Sequence, residues 1–234
     1  MDIDIKNLKP LKDGEGSCGK CYILNENTLY KEFYPVTEED FIICEKELRP
    51  LVGIINDTFV FPIELNIKYG ILLGYTMRYV KGVSLKNLNH DISLYSLIYA
   101  LPKVYKDIEI ISQKGILLYD ISDDNILFDG AKLNIIDQDR STIIDNPRLA
   151  LMYNRRNFNQ TILCYICEQT MQNREIEKFI SSDVYLNYIY EGLNQGISNE
   201  FMIEFLETIR EKLYEVYGDI AINVKDIKKI LEKK

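Results

Sequence analysis

The sequence predicts an α+β fold in two lobes: an antiparallel sheet with one helix over residues 1–80, then a reduced, mainly helical lobe over 81–234. Three observations carry this. Short apolar runs separated by turn signals fill the first 80 residues, the pattern of strands joined by hairpins. From Leu94 onward apolar residues recur at helical spacing. Between the two regimes, Met77-Arg78-Tyr79-Val80-Lys81-Gly82 reads as a strand end entering a Gly-containing linker.

At 234 residues, 47% of them hydrophobic and 27% charged, the chain can bury a sizeable core. No apolar run reaches membrane-spanning length, and MDIDIKNLKP lacks an apolar signal core, so a cytoplasmic protein without a membrane partner is expected. The net charge is −8, and Lys and Arg are dispersed apart from Arg155-Arg156 and the C-terminal tail. That argues against nucleic acid as a main partner. A phosphate-binding enzyme can still be acidic, because backbone N–H groups and one or two cations suffice for its site.

The first strand falls within a lead-in over residues 1–11. Gly14-Glu15-Gly16-Ser17-Cys18-Gly19 then forms a G-x-G-x-x-G. A dinucleotide-binding loop of this pattern must open a helix. Here it is followed by Cys21–Leu24, the turn Asn25–Asn27 and Thr28–Phe33, which is strand, turn, strand. Such a hairpin can cover a triphosphate with its backbone, with Lys31 reaching the phosphates from beneath. Thr37-Glu38-Glu39-Asp40 opens a helix with an N-cap and an acidic first turn, running to about Arg49 and stopping at Pro50. Glu45 and Glu47 both lie on it and either can pair with Lys31. Glu45 is preferred because Leu48 and Leu51 share its spacing. Phe59–Leu65 and Ile71–Val80 read as strands, with Lys68–Gly70 as the turn.

In the second lobe, Leu94, Leu97, Ile98, Leu101, Val104, Ile108 and Ile111 mark a helical pattern within 84–112 that Pro102 must kink or divide. Gly115–Asp139 follows, reading GILLYDISDDNILFDGAKLNIIDQD. Asp129-Gly130 between the apolar runs Ile126–Phe128 and Leu133–Ile136 signals a hairpin. Its open end brings together Asn125 and Asp137, with Asp120 one loop away. Mg²⁺ takes hard oxygen ligands and uses one or two carboxylates beside phosphates and water, so this is a candidate Mg²⁺-phosphate site. Helices are expected near 148–171, 174–194, 198–217 and 224–233, with breaks at Gly192, Gly196 and Gly218.

The single His90 lies in a polar loop, as a loop or capping residue. The cysteines form two C-x-x-C pairs, Cys18/Cys21 and Cys164/Cys167. A zinc or redox site is one reading of them. The other makes Cys18 and Cys21 part of the glycine hairpin, and Cys164 and Cys167 small buried hydrophobes in a helix.

With the glycine loop, Lys31, a helix acid, a linker, Asp120, Asn125 and Asp137 in this order, the sequence resembles the protein-kinase-like superfamily over about residues 12–140. The spacing in Asp120-Ile-Ser-Asp-Asp-Asn125 equals that of the kinase catalytic loop H-R-D-x-x-x-x-N, and the wording is similar to bacterial members. The resemblance implies a two-lobed protein-kinase-like fold and an ATP- and Mg²⁺-dependent phosphotransferase. Gly14, Gly16 and Gly19 would shape the phosphate cover. Lys31 would hold the α and β phosphates, with Glu45 orienting it. Met77 falls at the gatekeeper position, and Tyr79 and Val80 follow in the nucleotide-binding hinge. Asp120 would accept or orient the acceptor hydroxyl, and Asn125 and Asp137 would hold Mg²⁺.

The sequence also departs from the family. Leu118 and Tyr119 replace the His and Arg of H-R-D, so a phosphorylated activation loop has no arginine partner. Asp137-Gln138-Asp139 replaces D-F-G and ends in an acid, as in small-molecule kinases. Ser122 stands where serine/threonine kinases carry a Lys, and no A-P-E follows. Asn157 stands near the position of the helix Asp that braces the catalytic loop. The acceptor is a protein hydroxyl or a small-molecule hydroxyl; the alternative function is a pseudokinase, binding nucleotide or scaffolding without turnover.

Overall fold

Strands β1 (Lys9–Glu15), β2 (Gly19–Asn25), β3 (Thr28–Phe33), β4 (Pro62–Lys68) and β5 (Ile71–Arg78) form an antiparallel sheet in the order β1-β2-β3-β5-β4. The computed structural model describes residues 3, 5–35, 45–89, 91–168, 181, 184–195, 200–218 and 223–227. β3 is the central strand. Leu29, Tyr30 and Lys31 are buried in succession, as in a strand covered on both faces. The β4–β5 turn is the expected one: Tyr69 and Gly70 both have positive φ, 53° and 77°, which matches a tight hairpin to the strand twist. Gly74 permits the β3–β5 approach, since a Cβ there would lie 2.0 Å from the Lys31 carbonyl oxygen.

Strand boundaries differ from expectation: β4 and β5 end at Lys68 and Arg78 instead of Leu65 and Val80. The first strand extends through Glu15, so the glycine turn shrinks to residues 16–18. The fourth strand begins at Pro62 instead of Phe59, because residues 58–60 are engaged elsewhere. Ile135 donates to the Thr58 carbonyl (2.8 Å) and Val60 donates to the Ile135 carbonyl (2.9 Å), a short parallel seam. Helix α1 (Glu45–Leu48) continues through Pro50 as a 3-10 turn, Arg49–Leu51. Pro is tolerated there because the first N–H groups of a helical turn have no intrahelical partner. The expected helix start at Thr37, together with Cys44, lies outside the described residues.

Strand β6 (Val83–Ser84) leads into the short helix α2 (Leu85–Leu88), capped by the Ser84 hydroxyl, which accepts from the Asn87 N–H. Helix α3 (Leu94–Gln113) is capped by Ser93 and runs unbroken through Pro102. Of the kink or division expected at Pro102, the division does not occur; α2 ends at Leu88 and α3 begins at Leu94. All seven apolar positions read from the sequence are buried on α3, and that burial outweighs the one backbone bond Pro102 removes. His90 lies outside the described residues.

Among the described residues follow α4 (Pro147–Glu168), α5 (Val184–Gln195) and α6 (Glu200–Tyr217). Of the expected 148–171 and 174–194, residues 169–180 lie outside the described residues, and α6 matches the expected 198–217. The last expected helix, 224–233, is described only at its start, where Val224–Asp226 form a 3-10 turn and Ile227 is helical; 228–234 lie outside the described residues. Tyr105 on α3 meets α4 through an edge-on contact with Phe158 and a 2.6 Å bond to Asn159. Among the described residues no helix is long and apolar enough to cross a membrane.

Between α3 and α4 lie β7 (Ile116–Leu117), β8 (Ile126–Phe128), β9 (Leu133–Ile135) and β10 (Thr142–Ile143). β8 and β9 form the predicted hairpin, extended by β6, and β10 pairs with β7. The hairpin connection is four residues rather than two. Asp129 Oδ1 accepts from the N–H groups of Ala131 and Lys132 and closes the turn. The sheet is also anchored to α3. Buried Asp107 accepts from the Thr58 hydroxyl (2.6 Å) and N–H (3.0 Å), and Lys103 bonds the same carboxylate.

Candidate active site

Lys31 sits at the middle of β3, opposite Cys21 on β2 and Tyr75 on β5. It is 5% exposed. Its ammonium donates to Asp139 Oδ2 at 2.7 Å and makes a close ion pair with Asp137 Oδ1. The Tyr75 hydroxyl donates to the same Asp139 oxygen at 3.2 Å. Burial disfavours the Lys31 charge, but the carboxylates of Asp139 and Asp137 outweigh it and hold its pKa above the usual lysine value. Burial raises the Asp139 pKa; Lys31 pulls it back. Two carboxylates on one ammonium leave one negative charge over, so the cluster favours a further cation.

Asp137 comes from the hairpin's open end, as predicted. Ile136 donates to the Asn125 carbonyl at 2.9 Å, which places Asn125 beside the start of the Asp137 turn. Asp137 adopts the left-handed conformation (φ 62°), a strain of roughly 1–3 kcal/mol that clusters at functional sites. The Asn125 amide nitrogen donates to the Asp120 carbonyl (3.3 Å), which leaves its hard oxygen as the end that suits a cation. A half-buried carboxylate and an amide oxygen at one hairpin end fit Mg²⁺. Among the described residues no group of three or more His, Cys, Asp or Glu side chains forms a metal cage.

Glu45 is not the partner of Lys31. It accepts from Arg49 Nε at 3.0 Å and makes a close contact with Arg49 Nη2, one helical turn away. The helical spacing that favoured Glu45 identifies a face of α1, but Asp137 and Asp139 take two of the three N–H donors of Lys31 and Glu45 turns to Arg49. Glu47 is exposed.

In the glycine turn, the Gly16 N–H donates to the Gly19 carbonyl at 2.9 Å. Gly19 is required by packing, since a Cβ there would meet the Glu32 carbonyl oxygen at 2.1 Å. At Gly14 the added carbon would meet Leu11 Cβ at 2.8 Å, whereas Gly16 faces open space. Arg140 Nη2 donates to Cys18 Sγ at 3.0 Å, so the turn reaches the segment after Asp139. At the far end of β5, Met77 is buried and pairs in register with Leu29. The Tyr79 N–H donates to the Asn27 carbonyl (2.8 Å), and Tyr79 and Val80 are half-buried against the core.

The zinc and redox readings lose their support. Burial pushes the Cys21 thiol up to about 11, so it is protonated at neutral pH and a poor nucleophile. Cys164 is exposed, contrary to expectation, because Ile162, Leu163, Tyr165 and Ile166 take the buried positions around it on α4. The Cys167 side chain lies outside the described residues.

The loop carrying Asp120 is braced by one stripe of α4. Asn154, fully buried, accepts from the Leu118 N–H (2.8 Å) and donates to the Ile116 carbonyl (2.8 Å) and the Ser112 hydroxyl (2.9 Å). Asn157 donates to the Leu118 carbonyl (3.3 Å), the bracing role anticipated for it. The Thr161 hydroxyl donates to the Ile121 carbonyl (2.7 Å). Asn154 and Thr161 escaped the sequence reading, although polar residues at positions 154, 157 and 161 share one helix face. Asn154→Ala strands buried backbone groups, so it should cost about 2–4 kcal/mol, visible as a lower denaturant midpoint at unchanged slope.

Compared with known proteins, the chain matches no protein-family model and no curated protein.

Proposed function

We propose that this chain is an ATP- and Mg²⁺-dependent phosphotransferase with a two-lobed protein-kinase-like architecture, the sheet covering the nucleotide and the helical part carrying the catalytic loop. One observation carries the reading: Lys31 on the central strand meets Asp137 at the end of a hairpin more than a hundred residues later. Nothing in strand or hairpin packing alone requires a buried lysine at that meeting point, whereas a phosphate-and-cation site does.

In this reading Lys31 presents its ammonium to the nucleotide phosphates, under the hairpin end that carries Gly14, Gly16 and Gly19. Asn125 and Asp137 hold Mg²⁺, which would neutralise phosphate charge when bound. Asp120 orients the acceptor hydroxyl and takes up its proton, and Asn154, Asn157 and Thr161 fix the loop that presents it. Met77, Tyr79 and Val80 line the place of the base. The chemistry asked of the protein is positioning and charge neutralisation.

The acceptor is a hydroxyl of a small molecule or of a protein, and one feature favours the small molecule. Only residues 141–146 separate the turn after Asp137 from α4. That segment is tied down by Thr142 and Ile143 pairing with Leu117 and Ile116, and by the Ile144 N–H on the Gly115 carbonyl. Little chain is left to form a platform for a peptide.

The test is turnover of ATP with Mg²⁺ by purified protein, with sugars, aminoglycosides and peptides offered in turn as acceptors. Saturable Mg²⁺-nucleotide binding with no turnover on any acceptor would point to the binding module instead. Pretreatment with phosphatase should leave the activity unchanged, because Tyr119 replaces the arginine that would read a phosphorylated loop. A large loss on that treatment would contradict this account of the segment.

A further inference from the structure

We propose that Asp139 is the standing partner of Lys31, doing from the turn after the hairpin what an acid on α1 was expected to do. This rests on the phosphotransferase reading and deepens it by dividing labour between the two acids at Lys31.

The two carboxylates that grip Lys31 differ in setting. Asp137 has a side chain 35% exposed, lies beside Asn125 and belongs to the proposed cation site. A cation held there would compete with Lys31 for the Asp137 carboxylate. Asp139 is 3% exposed, and its Oδ2 is held from two sides by Lys31 and the Tyr75 hydroxyl. The 3-10 turn carrying it, Gln138–Arg140, is fixed by buried Gln138, which donates to the Ile136 carbonyl (2.8 Å) and accepts from Ser141 Oγ (3.2 Å). Glu45 is engaged by Arg49.

With Asp137 engaged by a cation, Lys31 would keep one anchor, and that anchor is on a buried turn. Such a lysine stays pointed at the phosphates without help from α1. Asp139 is therefore a positioning residue acting through Lys31, with Tyr75 setting the direction of its carboxylate.

The decisive measurement is acylation of Lys31 by acetic anhydride in nucleotide-free protein, read by mass spectrometry, beside steady-state kinetics. Asp139→Asn should speed Lys31 labelling by about tenfold, the size expected when an opposing charge is removed. It should raise KM for ATP more than it lowers kcat, and leave the Mg²⁺ concentration for half-maximal rate in place. Tyr75→Phe, which keeps the ring packing, should move labelling and KM in the same direction by a smaller factor. It also serves as the second probe if Asp139→Asn melts early. Unchanged labelling in both variants would overturn the proposal. So would a shift in Mg²⁺ dependence with Asp139→Asn as large as with Asp137→Asn, which would make Asp139 a metal ligand. A larger effect from Glu45→Gln than from Asp139→Asn would restore α1 as the anchor and also overturn it. If wild type neither binds nor turns over Mg²⁺-ATP, the phosphotransferase reading fails by itself, while the labelling still reports whether Asp139 holds Lys31.

Discussion

Asp120→Asn should lower kcat by about 10²–10⁴-fold while keeping Mg²⁺-ATP affinity within a few fold, the signature of an acid that acts in the transition state and not in ground-state binding. The backbone of Asp120 is already held: its carbonyl accepts from Asn125, and Leu118, two residues earlier, is bonded by Asn154 and Asn157. The isosteric change therefore leaves the loop in place and removes only the charge. Asn125→Ala should behave differently, weakening metal-dependent binding as well, because it deletes both a cation ligand and the bond to the Asp120 carbonyl. Intact kcat in an active enzyme carrying Asp120→Asn would reduce Asp120 to a structural loop acid. A melting curve beside the kinetics separates that outcome from simple unfolding.

Lys31→Ala should abolish turnover, and it should also destabilise the protein by roughly 3–5 kcal/mol, the scale for breaking a buried pair from one side. Among the described residues, Asp139 would then be buried with the Tyr75 hydroxyl as its remaining side-chain partner. The loss should depend on pH in a fixed direction. A carboxyl whose folded pKa lies above its unfolded value binds more protons when folded. Stability is then highest below the unfolded pKa and falls as pH rises through the folded one. Asp139 is already raised in the presence of Lys31, and removing the ammonium raises it further. Lys31→Ala should thus lose least stability under acid conditions and most at neutral pH, relative to wild type. Lys31→Met combined with Asp139→Leu should recover much of the stability and none of the activity. If the double variant is as unstable as the single one, the buried charge is not the cause. If Lys31→Ala retains turnover, the phosphate-binding assignment fails.

Several features of the fold and site were legible from sequence, because they depend on short-range patterns. The turn at Asn25–Asn27 and the alternation around it place Lys31 on β3. Asp129-Gly130 between two apolar runs places Asn125 and Asp137 at one hairpin end. The seven-residue stripe of α3 is read directly from helical periodicity. What escaped depends on partners distant in sequence. The choice between Glu45 and Asp139 is made by a contact spanning 108 positions, which no local period encodes. The start of β4 is displaced because residues 58–60 pair with Ile135. Pro102 is a helix breaker by intrinsic preference, and burial on α3 overrides it. Asn154 looks like an ordinary surface amide until the loop it bonds is seen beside it.

The seam between residues 58–60 and Ile135 has a mechanical consequence. It is fixed by two backbone bonds and backed by Asp107, and the covalent linker leaves the sheet beside it, after Arg78, whose guanidinium donates to the Asp57 carbonyl. Lys31 and Tyr75 tie the middle of the sheet to Asp139, and Cys18 meets Arg140 at the glycine turn. With those side-chain contacts released, rotation about the seam would move β4 least and the glycine turn, at the opposite margin beyond β3, most. The sheet would then act as a door hung on the β4 side, with Lys31, Tyr75 and Cys18 as its latches. Small angular changes at the hinge become the largest displacements where the phosphate cover would have to open and shut.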